Sequence, residues 1–374
     1  MGADAAPGGA QGRGGSLSKS TLRAVIPAGG AGSRLWPRSR RSTPKHVLPL
    51  SGTGRPLLRE TYERIRPLAA EVYVLTEQRQ VPLIRKILPE LKARHLIVEP
   101  EARGTTNALG LAAMTLAEAD PEAVMMSIPA DHVVRGKDAF GAAVRRAAAV
   151  AEASGELVTV GLLPRYPATG FGYIEAREPV SVGRLRALRV ARFVEKPDAA
   201  RARRFLAAGD FYWNLAMFGW RVGAFLAELK LHGPAHHAGL QRVLEARRRG
   251  DEAAAGRAYA RLPNEVVDRT VMERTRRLLL VPAGFEWIDV GSWTELADLL
   301  RQDAHGNVVE GEQVLIDTES CFISAPGKLV ATIGLRDFVI VDTPDALLVC
   351  PKSRAQDVKR VVEALGREKK LKYL

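Results

Sequence analysis

The residues best suited to chemistry begin with Pro27-Ala28-Gly29-Gly30-Ala31-Gly32-Ser33-Arg34-Leu35-Trp36-Pro37, followed shortly by Pro44-Lys45. A glycine-rich turn after a buried strand lets backbone N–H groups approach a phosphate or a base with no Cβ in the way. The spacing is not that of a dinucleotide fingerprint, because the third glycine of G-x-G-x-x-G would fall at Leu35. It is not a P-loop either, since no Gly-Lys-Ser/Thr follows. The glycines alone would serve equally well as a tight turn. Arg34 and Lys45, on either side of a loop, add two cations placed to clamp a triphosphate. Far downstream, Asp131 in Pro129-Ala130-Asp131-His132 and Asp289 in Trp287-Ile288-Asp289-Val290-Gly291 each follow a strand-like run beside a turn. Two such acids could share one hard cation, because Mg²⁺ favours one or two carboxylates together with phosphate oxygens. Either acid alone would read as a helix N-cap or a turn residue. His132 is expected to be structural and hydrogen-bonded. Glu195-Lys196, emerging from apolar Phe193-Val194 and stopped by Pro197, would by itself be a surface ion pair of little worth.

Regular elements must hold these residues together. The run from Arg23 to Ile26 predicts a first strand, and Leu57, Leu58, Tyr62, Ile65 and Leu68 fall on one helical face within Pro56–Leu68. Residues 72–75, 95–98, 124–128 and 157–161 read as buried strands, with helices over about 83–91, 106–118 and 138–153 between them. Strands alternating with helices at this spacing predict an α/β fold with a mostly parallel sheet covered on both faces. Ligands in such sheets bind beyond the carboxyl ends of the strands, which puts Gly29–Gly32 and Asp131 on one rim. After about residue 305 the texture changes to short β-type runs at 314–317, 321–324, 329–333, 338–341 and 347–349, closed by an amphipathic helix over 354–365. The expected organisation is therefore a tail over 1–20, a catalytic domain over 21–303, and a small β-rich, solenoid-like domain over 304–374.

Bulk composition narrows the classes. The chain has 374 residues, 46% hydrophobic and 26% charged, which suits a globular protein with a sizeable core. Its 55 Lys and Arg against 42 Asp and Glu give +13, a balance that would suit a polyanionic partner. Arginine is scattered along the whole chain, however, and Arg247-Arg248-Arg249 sits beside an Ala-rich helical stretch as a solvated face. No nucleic-acid module or basic-aromatic interleaving appears, so nucleic acid is not an expected partner. Cys321 and Cys350 lack a Cys-x-x-Cys spacing and read as buried thiols in a reducing, cytoplasmic compartment. No apolar run approaches the ~20 residues of a membrane span. Residues 1–20, rich in Gly, Ala and Ser, lack the apolar centre of a signal peptide and read as a flexible tail.

The glycine-rich segment resembles the signature of the sugar-phosphate nucleotidyltransferases, and its Arg-Leu-Trp-Pro form resembles the mannose-1-phosphate guanylyltransferase branch. Further blocks agree in order: Glu99-Pro100 with Thr105, Pro129-Ala130-Asp131-His132, Thr169-Gly170-Phe171-Gly172-Tyr173-Ile174, Phe193-Val194-Glu195-Lys196-Pro197, Trp213-Asn214 with Met217-Phe218, and Trp287 to Trp293. The resemblance runs from about Leu22 to Leu365. It implies a Rossmann-like nucleotide-diphosphosugar transferase fold and synthesis of GDP-mannose and pyrophosphate from GTP and mannose 1-phosphate. It implies that Ala28, Gly29, Gly30, Gly32, Ser33, Thr105 and Asp131 bind the nucleotide, and that Asp131 and Asp289 hold Mg²⁺, for which Mn²⁺ can substitute. Lys196 would grip the phosphate of the sugar, with Gly170, Glu195 and Asn214 around the sugar itself, and Arg34, Lys45 and Lys196 acting in catalysis. Two departures bear on specificity: Leu215-Ala216 where the family usually shows Ser-Gly, and Gly104-Thr105-Thr106-Asn107 where it shows Asn-Thr-Ala-Pro. Transfer of another base or to another sugar, such as thymidylyl or uridylyl transfer to glucose 1-phosphate, stays open, as does a non-catalytic nucleotide-sugar sensor. Longer relatives carry a cupin-type isomerase domain beyond this point, so that second activity is expected to be absent. A homodimer is the self-association the sequence leaves open.

Overall fold

The computed structural model describes residues 22–30 and 32–374; the expected tail, residues 1–20, and Ala31 lie outside them. Along the chain the strands are β1 (Leu22–Pro27), β2 (Glu71–Glu77), β3 (Leu96–Glu99), β4 (Val124–Ser127), β5 (His132–Arg135), β6 (Leu157–Leu162), β7 (Tyr173–Val182) and β8 (Leu185–Val194). They continue with β9 (Phe211–Arg221), β10 (Leu278–Pro282), β11 (Glu286–Asp289), β12 (Val308–Ile316), β13 (Phe322–Ile333), β14 (Phe338–Thr343) and β15 (Ala346–Pro351). The main sheet has the order β3-β2-β1-β4-β9-β6-β10-β8-β7. β1 runs parallel to β2 and β4, and β2 to β3, as the strand–helix alternation predicts. β9 then enters antiparallel between β4 and β6, and β7 and β8 form an antiparallel pair, so the sheet is mixed.

Alternation along each strand builds a core on either face. In β1, Ala24 and Ile26 join Leu58, Tyr62 and Ile65 of the helix Leu57–Ile65 and Phe140 and Val144 of the helix Lys137–Ser154. Val25 points the other way, toward Leu109 and Ala112 of the helix Thr105–Ala117, Phe225 and Leu240. β4 repeats this, with Val124 and Met126 on one side and Met125 on the other. Among the described residues no helix is long and apolar enough to cross a membrane.

Two further sheets matter for the site. β5 and β11 form a two-stranded antiparallel ladder in which Asp289 lies opposite His132. β12, β13 and β14 run parallel in one coil, and β15 returns antiparallel. The two runs at 321–324 and 329–333 form a single strand of 12 residues that continues through Pro326-Gly327. Val308, Phe322, Val339, Val341 and Leu348 from this coil, with Val358 of the closing helix, share a third core with Leu35, Trp36, Val133, Val290 and Trp293. Leu35 and Val290 directly follow Arg34 and Asp289, and Trp36 and Val133 lie two positions beyond Arg34 and Asp131. The C-terminal strands are thus packed directly beneath the segments that carry Arg34, Asp131 and Asp289.

Candidate active site

The glycine-rich segment leaves β1 with the Ala28 N–H donating to the Leu75 carbonyl at 2.7 Å. Gly30 and Gly32 have φ of 87° and 65°, and a Cβ on Gly32 would lie 2.5 Å from Lys45 Cβ. Only glycine permits both that backbone and that approach. Ser33–Leu35 makes one 3₁₀ turn that buries Leu35 and leaves Arg34 exposed. Trp36 Nε1 donates to the Tyr373 carbonyl at 2.8 Å, and Trp293 Nε1 donates to the Trp36 carbonyl at 3.0 Å. Arg40 adds a two-pronged pair with the Asp345 carboxylate at 2.7 and 2.8 Å. The loop is therefore fastened to the C-terminal part of the chain, with Arg34 facing outward.

Lys45, Asp131 and Asp289 form one cluster. Lys45 Nζ donates to Asp131 Oδ2 at 2.9 Å and to Asp289 Oδ1 at 2.7 Å, with its side chain only 7% exposed. Burial opposes the ammonium charge, but the two carboxylates outweigh it and hold Lys45 well above the ordinary lysine range. Burial likewise opposes the Asp131 charge, and Lys45 with His132 pulls its carboxyl below the usual range. The register of β5 against β11 explains the meeting, since it sets Asp289 across from His132, next to Asp131. One carboxylate oxygen from the turn just before β5 and one from the end of β11 already enclose one cationic centre, so the pair fits a shared small cation. Among the described residues no group of three or more His, Cys, Asp or Glu could hold a metal ion, so phosphate and water oxygens would complete the shell. His132 is buried edge-on to Trp287 with ring centroids 5.1 Å apart; its Nδ1 has no partner among the described residues, and its Nε2 faces Asp131 Oδ1 at 3.8 Å. Burial keeps His46 neutral, down to about 4.

Two clefts flank this cluster. One, of about 350 Å³, is lined by Gly29, Gly30, Thr105, Asp131, Glu99 and Asp268, among others. The second, of about 360 Å³, has an aromatic wall of Tyr166, Phe171, Trp213 and Trp287 and reaches Asp289. In the first cleft Thr105 opens the helix Thr105–Ala117, and its hydroxyl accepts the Val267 N–H at 2.9 Å. Burial pushes Glu99 up to about 7, against the hydrogen bond it accepts from Tyr259. Burial and neighbouring Glu195 push Asp268 up to about 6.

The expected sugar residues are partly assembled. Lys196 Nζ donates to Glu195 Oε1 at 2.7 Å, and a Cβ on Gly172 would lie 2.7 Å from Glu195 Oε2 and 3.2 Å from Asn214 Cβ. Lys196 itself is exposed and has φ 47°. Gly170 is exposed with open space where a side chain would stand. Asn214 is internally satisfied: its Nδ2 donates to Asp268 Oδ1 at 2.8 Å and its Oδ1 accepts the Ala216 N–H at 3.0 Å. Sequence reasoning missed Asp268, whose only signal is an acid directly after Val266-Val267, and did not single out Glu99 within its block.

Both departures from the family pattern are absorbed locally. Ala216 takes the left-handed conformation, φ 52°, that a glycine would adopt more cheaply, and Leu215 is fully buried. Gly104 has φ 79°, and a Cβ there would lie 2.2 Å from the Glu265 carbonyl oxygen. Asn107 donates to the Pro263 carbonyl at 2.7 Å and pairs with His236 Nδ1 at 2.7 Å, so it braces the wall from behind.

Comparison with known proteins places these features in context. Residues 23–306 match the family model described as nucleotidyl transferase, and residues 311–365 match that of a MannoseP isomerase/GMP-like beta-helix domain. The chain is 39% identical over 363 residues to the mannose-1-phosphate guanylyltransferase of Escherichia coli K12, covering 93% of this chain and 74% of that protein. It is 38% identical over 350 residues to the alginate biosynthesis protein AlgA of Pseudomonas aeruginosa, covering 91% and 71%. A crystal structure from Thermus thermophilus, described as a mannose-1-phosphate geranyltransferase, superposes with a TM-score of 0.81 at 34% identity, covering 92% of this chain and 99% of that one.

Proposed function

The chain belongs to the nucleotidyl transferase family, and from that premise we propose that it makes GDP-mannose and pyrophosphate from GTP and mannose 1-phosphate. The observation that carries the chemistry is the convergence of Asp131 and Asp289 on one cationic point between two clefts. An oxygen of the sugar phosphate attacks the α-phosphorus of GTP in line. The new P–O bond forms as the bond from the α-phosphorus to the bridging oxygen breaks, and pyrophosphate leaves with the electron pair. No general base is needed, because the attacking phosphate is already ionised at neutral pH. Such transfers ask the protein mainly for positioning and charge neutralisation. Mg²⁺, or Mn²⁺ in its place, would be held by Asp131 and Asp289 and supply charge neutralisation at the phosphate oxygens. Arg34 and Lys45 neutralise the triphosphate, and Lys196 holds the attacking phosphate.

In this reading the nucleotide lies along Ala28, Gly29, Gly30, Gly32 and Ser33 with its base in the cleft of Thr105 and Glu99. Guanine offers two adjacent donors on its pairing edge, which a carboxylate can accept together; uracil and thymine offer one donor between two acceptors. Glu99 therefore favours GTP. Glu195 and Gly170 border the sugar, while Asn214, its amide already engaged, acts by holding Asp268. The two free cysteines, Cys321 and Cys350, support a cytoplasmic enzyme. A homodimer is supported by the exposed apolar side chains of Val314, Ile316, Leu329 and Ile333 on β12 and β13.

The decisive experiment measures pyrophosphate release across four nucleoside triphosphates and several sugar 1-phosphates. GTP with mannose 1-phosphate should give the highest kcat/KM. A win of about tenfold or more for dTTP or UTP with glucose 1-phosphate would replace this substrate assignment.

A further inference from the structure

The Asp131–Asp289 pair is closed by the chain's own cation. Lys45 Nζ sits 2.9 Å from one carboxylate and 2.7 Å from the other, buried, at the point where a shared metal would have to stand. A small cation cannot take both carboxylates while the ammonium remains there. Gly32 packs against the base of the Lys45 side chain, so the stem is fixed and only its far end can swing. If a bare divalent ion displaced it, Lys45 would lose both partners while buried beside a second positive charge. Leaving a buried charge unpaired is strongly unfavourable. A triphosphate changes this balance, because its oxygens offer the ammonium new anionic partners. Protein alone also provides a poor shell, since no third acidic, His or Cys ligand gathers with these two among the described residues.

We propose that Lys45 is a place-holding cation that closes the Asp131–Asp289 site to free divalent ions and yields it only when the triphosphate arrives. The site then selects a metal–nucleoside triphosphate complex rather than a free metal. Metal and nucleotide bind with positive coupling, and by linkage each strengthens the other by the same factor. Lys45 thereby has a role in the free protein distinct from its contact with phosphate during reaction. This inference rests on the metal assignment given above.

The test is Mn²⁺ binding followed by electron paramagnetic resonance at fixed pH, with no turnover required. Wild-type protein without nucleotide should bind Mn²⁺ weakly. With GTP and no sugar phosphate, the affinity should rise by about tenfold or more after correction for Mn²⁺ bound to free GTP. Lys45→Met should bind Mn²⁺ about tenfold or more tighter than wild type in the absence of GTP, and the enhancement by GTP should shrink by a similar factor. Lys45→Gln, whose amide can still donate to a carboxylate, provides the same reading if the methionine variant does not fold. Arg34→Met removes an equal charge from the exposed part of the same segment and, in the absence of GTP, where Arg34 has no phosphate to contact, should change Mn²⁺ affinity by less than about threefold. Combining Lys45→Met with Asp131→Asn should abolish the tightened binding, which ties it to this site. Unchanged or weaker Mn²⁺ binding by both Lys45 variants overturns the proposal, as does equal tightening by Arg34→Met, which would mean simple charge repulsion. If wild type binds no Mn²⁺ even with GTP, and Asp131→Asn leaves that unchanged, the metal assignment itself fails instead.

Discussion

Asp131 and Asp289 owe their pairing to a two-stranded ladder, and the lysine between them ties the site to the glycine-rich segment. In the proposed reaction their contribution is electrostatic, and removing one such contact typically costs about 10²–10³ in rate. Asp289→Asn should therefore lower kcat by roughly that factor, with Asp131→Asn similar and the double variant little worse, because groups acting as a unit are non-additive. Lys45 keeps one carboxylate in either single variant, so circular dichroism should show an intact fold; near-normal turnover by Asp289→Asn would remove it from the site. Glu99 provides a pH test. Burial lifts its carboxyl to about 7, and only the ionised form accepts both guanine donors. GTP affinity should accordingly fall as pH drops from 8 to 6, and Glu99→Gln should flatten that slope while weakening GTP at pH 8. Equilibrium binding of GTP measured across this range checks both statements, and an unchanged slope in Glu99→Gln would assign it to another group, such as Asp268.

Between the residues and the whole chain stand the turns that aim them. The helix Thr105–Ala117 starts at Gly104, whose positive φ and contact with the Glu265 carbonyl leave no room for a side chain. Gly104→Ala must move either the helix start or the segment carrying Val267 and Asp268, both of which line the cleft proposed for the nucleotide. Backbone strain of this kind costs on the order of 1–3 kcal/mol, and the clash adds to it. The expected outcome is a stability loss of about 2 kcal/mol or more by urea unfolding, accompanied by a raised KM for GTP. Wild-type stability in Gly104→Ala would mean that the wall yields freely.

Among the described residues there are three cores, and the third joins the C-terminal coil to the loop that bears Arg34. Phe322 and Trp293 are both fully buried there, with ring centroids 5.2 Å apart. Phe322→Ala should cost about 3–5 kcal/mol, and because Leu35 and Trp36 share the cavity, kcat should fall as well. Thermal unfolding and pyrophosphate release measured on one preparation test this; a destabilised variant with unaltered kcat would mean the coil supports stability alone. The outer face of the coil is the place to examine self-association. Ile316 and Ile333 are cross-strand partners, 49% and 75% exposed. Ile333→Glu should convert a dimer to a monomer in sedimentation velocity, whereas an unchanged sedimentation coefficient would exclude this face as the contact.

Much of this protein is legible in the sequence because the relevant signals are local. The apolar run of β1 and the 3.6-residue period of Leu57, Leu58, Tyr62 and Ile65 are written in neighbouring residues, and both elements form as those signals predict. The glycines of the glycine-rich segment announce a backbone that other residues resist, and Gly30 and Gly32 adopt it. The order of the family blocks likewise identifies the chemistry without any coordinates. What sequence spacing does not contain is which distant residues share a volume. Asp289 reaches Asp131 only through the β5–β11 register, and Lys45 comes between them only because Gly32 lets its stem pack against the loop. Asp268 lines the cleft beside Asn214, 54 positions earlier, which donates to it. The C-terminal coil reads as an appendage in the sequence, since its strands carry no catalytic block. Burial of its inner face required an apolar partner, and the nearest one available is the underside of the loop that bears Arg34.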